Sequence, residues 1–109
     1  MIKMTDLAYV LYAKVNRDFD DFELELIGST TEEIIERADE IVVKNYILSI
    51  FEANNFLSAE QIIELLKLSD TLDACYEAIK STKVICPYKY KEIITQFADY
   101  LIENSAEAE

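Results

Sequence analysis

Between residues 18 and 40 the chain carries ten carboxylates: Asp18, Asp20, Asp21, Glu23, Glu25, Glu32, Glu33, Glu36, Asp39 and Glu40. They stand against the single base Arg37, a local charge of −9 within a chain whose net charge is −12. Carboxylates gathered in this way have three uses: a solvated face, a hard-cation site or a surface for a basic partner. The cation reading is the weakest of the three. Asp18-x-Asp20 opens like a calcium loop, but the sixth position is Glu23 where the loop needs glycine. The twelfth is Ser29 where it needs a bidentate glutamate. A di-iron bundle uses Glu-x-x-His motifs, which a chain without histidine cannot form. No metal and no cofactor is expected.

The missing residue types exclude more than the present ones imply. Without histidine there is no common general base, no Ser-His or Cys-His nucleophile pair and no usual transition-metal ligand. A single glycine, Gly28, rules out phosphate-cradling and dinucleotide loops, which need two or three. Cys75 and Cys86 form no CxxC pair and sit among apolar neighbours, the pattern of buried thiols in a reducing compartment. The expectation is a non-catalytic protein.

Charge narrows the partners. A chain with 22 acids and 10 bases is repelled by nucleic-acid backbones and anionic membrane surfaces, and is drawn to basic protein surfaces. Direct nucleic-acid binding and membrane binding are therefore not expected. The balance turns over between Lys80 and Lys91, where Lys80, Lys83, Lys89 and Lys91 meet no acid. The tyrosines interleaved there, Tyr88 and Tyr90, read as half-buried and core residues, with the lysines relieving the acidic field. No apolar run reaches the roughly 20 residues that span a bilayer, and the first residues lack a secretory h-region. A cytoplasmic location follows as an expectation.

The elements that must position these groups are helices. With one glycine and one proline, the chain is short of the turn residues a many-stranded sheet requires. Its 109 residues suit one domain with a single core, and 51% of them are apolar. Met4, Leu7, Leu11, Val15, Phe19, Phe22 and Leu26 recur every three or four residues and predict a long N-terminal helix over about 4–26. Gly28 is expected to end it in the left-handed conformation. Thr30 and Glu33 make a capping box, opening a second helix expected to run to about Ala53. Its half from Ile41 to Phe51 is apolar at eight of eleven positions and is expected to be the central, buried element. The capped, charged lead-in from Glu32 to Glu40 decides for helix over strand at Ile41-Val42-Val43.

Asn54-Asn55 marks a turn. Ser58 and Gln61 form a second capping box, flanked by the Leu57–Ile62 staple, for a helix to about Leu68. Ser69 or Asp70 caps the next, over 71–80. An extended connection leads to Pro87 at the first position of a last helix carrying Tyr90, Ile94, Phe97 and Leu101, with residues 105–109 frayed. The fold expected is an all-α, compact bundle of about five helices with Leu11, Val42, Leu48, Phe51, Leu66 and Phe97 in its core.

The run Leu11-Tyr12-Ala13-Lys14-Val15-Asn16, the opening Glu32-Glu33-Ile34-Ile35, and Leu57-Ser58-Ala59-Glu60-Gln61 followed by Leu72-Asp73-Ala74-Cys75-Tyr76 resemble an uncharacterised family. Its members are small acidic helical domains on mobile elements of gut Firmicutes, and the likeness covers roughly residues 7–80. The family has no assigned activity, so the resemblance implies only a mobile-element or phage setting, where short acidic proteins often inhibit host defence nucleases. Composition and resemblance together lead to an acidic protein-binding module. Its ten carboxylates would dock on a basic groove of a nucleic-acid-handling protein, as a nucleic-acid mimic of the anti-CRISPR or anti-restriction kind. The alternative is a structural or self-associating helical protein with an ordinary solvated surface. The oligomeric state is not legible.

Overall fold

Why the chain folds as it does is clearest at its helix starts. The computed structural model describes residues 4–53, 56–83 and 86–107. Helix α1 spans Met4–Ile27, α2 Thr31–Glu36, α3 Ala38–Ala53, α4 Ala59–Leu66, α5 Thr71–Thr82 and α6 Tyr90–Glu107, with a 3₁₀ turn over Pro87–Lys89 leading into α6. No strand occurs among the described residues. Both capping boxes are formed. The Glu33 amide donates to Thr30 Oγ1 and the Thr30 amide donates to Glu33 Oε1, each at 3.2 Å. Ser58 and Gln61 repeat the pattern at 2.7 and 3.2 Å. Leu57 and Ile62, the staple, are both buried. Asp70 caps α5 through the Asp73 amide at 2.9 Å. Pro87 takes the first position of the 3₁₀ turn, where its missing N–H costs nothing.

The α1 stripe packs as its spacing predicts. Leu11, Val15 and Phe22 are buried, with Leu7, Phe19 and Leu26 half-buried beside them. Helix α1 lies against α3, α4 and α5, while α6 closes the bundle across α4 and α5. Leu11, Val15, Ile47, Phe51, Leu65, Cys75, Ile94 and Ala98 meet at the centre with no exposed surface. At ~25 cal/mol per Å² of apolar surface, each such large side chain contributes about 1.5–3 kcal/mol. Gln61 Nε2 donates to Asp99 Oδ1 at 2.8 Å and ties α4 to α6 at the surface.

Several expectations are corrected. The helix expected from Thr30 to Ala53 is divided at Arg37, whose backbone leaves the helical region at φ −98°, ψ 11°. No proline or glycine stands there. Gly28 has no positive φ. α1 ends because Ser29 turns back on it, its amide donating to Leu26 O and its hydroxyl to Glu25 O, both at 3.0 Å. The left-handed residue among those described is Lys83, φ 58°, which closes α5.

Val42, expected in the core, is 54% exposed. A run apolar on nearly every side does not reveal which side turns inward, and here Ile47 and Phe51 do so. Leu11 and Phe51 are fully buried, whereas Leu48, Leu66 and Phe97 pack around the core half-buried. Helix α6 continues to Glu107, past the expected fraying point at 105. The turn at Asn54-Asn55, the connection at 84–85, the Met4 side chain and residues 108–109 lie outside the described residues.

Candidate docking surface

The ten carboxylates separate into two groups. Four are held by the fold. Asp18 is half-buried, and its Oδ2 accepts the Thr71 amide at 3.0 Å, the Leu72 amide at 3.3 Å and Lys14 Nζ at 3.4 Å. It caps α5 from another helix, alongside Asp70. Glu33 serves its capping box, which holds its carboxyl below the ordinary value. Glu25 accepts from Arg37 Nη1 at 2.9 Å. Glu40 is the most engaged: Arg37 donates to both its oxygens at 2.8 and 3.1 Å, and Lys44 Nζ donates at 2.7 Å. Hydrogen bonds from Arg37, and then from Lys44, draw the Glu40 carboxyl down to about 2.

These contacts form one cluster at the junction of α1, α3 and α5. Lys44 is buried, with Asp73 Oδ1 at 3.3 Å as its second counter-ion. The Phe22 ring lies under both cations, 4.0 Å from Lys44 Nζ and 5.0 Å from the Arg37 guanidinium carbon. A buried ammonium is tolerated when it is paired and touches an aromatic face. Tyr76 shares the cluster, and burial followed by the Glu40 charge raises its phenol. The Glu40-x-x-x-Lys44 spacing was the available signal for this pair. Nothing local announced Asp18 as a cap for residues 53 and 54 positions away.

Asp20, Asp21, Glu23, Glu32, Glu36 and Asp39 remain, exposed and without an ion pair among the described residues. They do not share one face. At ~100° per residue, Asp21 and Glu23 point nearly opposite ways around α1. Asp21 lines a cleft of about 370 Å³ with Val10, Lys14, Arg17 and Leu66. Asp39, in the first turn of α3, acts on Tyr76 at the other side. Asp20 and Glu23 instead fall on the outer side of α1 with Leu24 and Ile27, which are 66% and 80% exposed. Ile27, Glu23 and Leu26 form a shallow depression of about 300 Å³ with Ile34 of α2. Beyond it, Glu32, Ile35 and Glu36 share the outer side of α2, with Ile35 68% exposed. The corner of α1 and α2 thus exposes four aliphatic side chains, Leu24, Ile27, Ile34 and Ile35, of which Ile27 and Ile34 meet in the depression, with Asp20, Glu23, Glu32 and Glu36 on the same outer sides of the two helices. Sequence reading found the carboxylates and missed the aliphatic side chains, although Leu24 and Ile27 lie off the α1 stripe.

Two further features bear on chemistry. Cys75 and Cys86 are both free thiols; burial, with the Asp18 and Asp70 charges, pushes Cys75 up to about 12. It is a packed thiol rather than a poised thiolate. Among the described residues no three Cys, Asp or Glu side chains gather as a metal site requires, and no helix is long and apolar enough to cross a membrane. No known protein family, curated protein or solved structure matches the chain.

Proposed function

We propose that this chain is a non-catalytic, cytoplasmic protein-binding module whose α1–α2 corner docks on a basic surface. The observation that carries this reading is the exposure of Leu24, Ile27, Ile34 and Ile35 at one corner, Ile27 and Ile34 in a shared depression, beside carboxylates with no ion pair among the described residues. Apolar side chains exposed together beside polar ones mark interaction sites. The charge of the carboxylates selects a basic partner and speeds its encounter.

The concrete version is an inhibitor that occupies the basic groove of a nucleic-acid-handling protein, a nuclease or defence complex, in place of nucleic acid. A mobile-element origin of the anti-CRISPR or anti-restriction kind accords with this. The aliphatic side chains add an apolar anchor that phosphate mimicry alone would lack. The test reverses the carboxylates, with Asp20, Glu23, Glu32 and Glu36 all changed to lysine, and compares both forms as baits in an extract of the source organism. A partner captured by the native bait is then titrated calorimetrically at low and high salt, with duplex DNA as competitor. The reading expects affinity to fall with salt, DNA to compete and the reversed form to lose binding. Equal affinity of the two forms at both salts would refute it.

The apolar side chains of the same corner also favour self-association as the second reading. Sedimentation that depends on protein concentration, and that Ile27→Ser and Ile35→Ser together abolish, would select it.

A further inference from the structure

A second surface has the opposite chemistry. The outer side of α3 and the turn at Pro87 enclose an open groove of about 560 Å³ lined by Tyr46, Ile50, Ala53, Pro87, Tyr88 and Lys91. It continues along α3 past Ser49 and Asn45 to Val42. From Val42 to Ala53 the helix rises ~16 Å, three turns, the length over which a docked helix would lay its apolar side.

The walls are apolar and aromatic. Tyr88 is 82% exposed, and Tyr46 is braced edge-on by Tyr90, ring centroids 6.2 Å apart at 82°. Exposed tyrosines with few rotatable bonds are the side chains that interfaces favour. Acids make up a fifth of this chain, yet none lines the groove along its described length. Among the described residues the one charged lining residue is Lys91, and Lys89 is exposed on the adjoining turn, within the acid-free run from Lys80 to Lys91. In a molecule of charge −12, this acid-free lining repels an anionic partner less than the carboxylate-rich α1–α2 corner does, with Glu52 and Glu92 the exposed acids adjoining it in the chain.

We propose that this groove is a second docking site, for an acidic amphipathic helix of another protein. The apolar side of that helix would lie along Tyr46, Ile50 and Tyr88, and its carboxylates would face Lys89 and Lys91. The inference stands independently of the reading of the α1–α2 corner, because it invokes a different surface and a partner of opposite charge.

The probe is a labelled helical peptide of about three turns, leucine at each helical repeat and glutamate elsewhere, followed by fluorescence anisotropy. Its twin carries lysine in place of glutamate, and a single-stranded oligonucleotide is the third ligand. The acidic peptide is expected to bind roughly tenfold or more tighter than its twin, a difference of at least about 1.4 kcal/mol. Tyr88→Ser with Lys91→Glu is expected to weaken it by at least a similar, roughly tenfold factor. Both side chains are exposed; Lys91→Glu gives up a cation–π contact with Phe56, 5.8 Å from Nζ to the ring centroid, but places an acid in the first turn of α6, where it suits the dipole, so melting should change little. Equal binding of the two peptides, no saturable binding of the acidic one, or preference for the oligonucleotide would overturn the proposal. So would dimerisation of the free protein that the same double variant abolishes, since the occupant would then be a second copy.

Discussion

The carboxylate of Asp18, in the middle of α1, accepts the backbone amide of Thr71 at 3.0 Å and so caps a helix that begins 53 residues later. The first amides of a helix have no partner within it, and α5 meets that need from two directions, through Asp70 and through Asp18. A long-range cap also locks the α1–α5 packing in register.

Removing this cap should cost stability rather than binding. Asp18→Ala is expected to lower unfolding free energy by about 1–2 kcal/mol, with Asp18→Asn losing less because an acceptor oxygen remains. Urea titration of the two variants checks this. Equal midpoints for Asp18→Ala and the native protein would mean that water serves the Thr71 and Leu72 amides equally well.

Lys44 is buried with Glu40 and Asp73 as counter-ions, so its charge and its stem both contribute. Lys44→Met keeps the stem and strands Glu40 only in part, because Arg37 still holds both its oxygens; a loss of about 1–2 kcal/mol is expected. Lys44→Ala adds the lost packing and should cost about 1 kcal/mol more. Thermal melts of the pair separate the two contributions.

Glu40 makes stability depend on acidity in a defined direction. Its folded value, about 2, lies below the unfolded value of 4.5, so the folded state binds that proton less readily. The stabilisation is therefore complete above pH 5 and is lost as pH falls from about 5 towards 2. Acidification also removes the net negative charge, which acts in the opposite sense. The informative quantity is thus the difference between the native protein and Glu40→Gln across that window. The gap, on the order of 2 kcal/mol near neutrality, should close at the acid end. A gap that is constant with pH would show that the Glu40 charge does not contribute.

Glu32 and Glu36 sit four residues apart on α2 and should respond differently to reversal. Glu36 is the last residue of the helix, where a cation suits the dipole, and Glu36→Lys also turns a repulsive pair into an attractive one. It is expected to stabilise by roughly 0.5 kcal/mol. Glu32→Lys gains the pair but places a cation in the first turn, and its net effect should be near zero. If Glu36→Lys stabilises and yet abolishes partner binding, the acid there is retained for docking at the expense of stability.

What could be read from the sequence was local. Thr30 with Glu33, Ser58 with Gln61, Asp70 and the α1 stripe from Leu7 to Leu26 each declare themselves within a few positions and are found where their chemistry places them. Pro87 opens a 3₁₀ turn ahead of the last helix, which begins at Tyr90. What could not be read depended on distant partners. Arg37 stands at a helix break where no proline or glycine announces one, and its ion pair with Glu25 joins it to α1. Asp18 is counted with nine other acids by composition and is separated from them only by Thr71 and Leu72. The corner was hidden for a related reason: a charge count along the chain merges Asp21 with Glu23, whereas the helix points them apart.

Helix α2 buries none of its six residues, yet it carries half of the corner's carboxylates and half of its aliphatic side chains. Its composition can change without altering a single core contact. Under the docking proposed for this corner, the exposed positions of this one turn and a half would set partner choice while the core stayed in place, so a change of target would need no repacking.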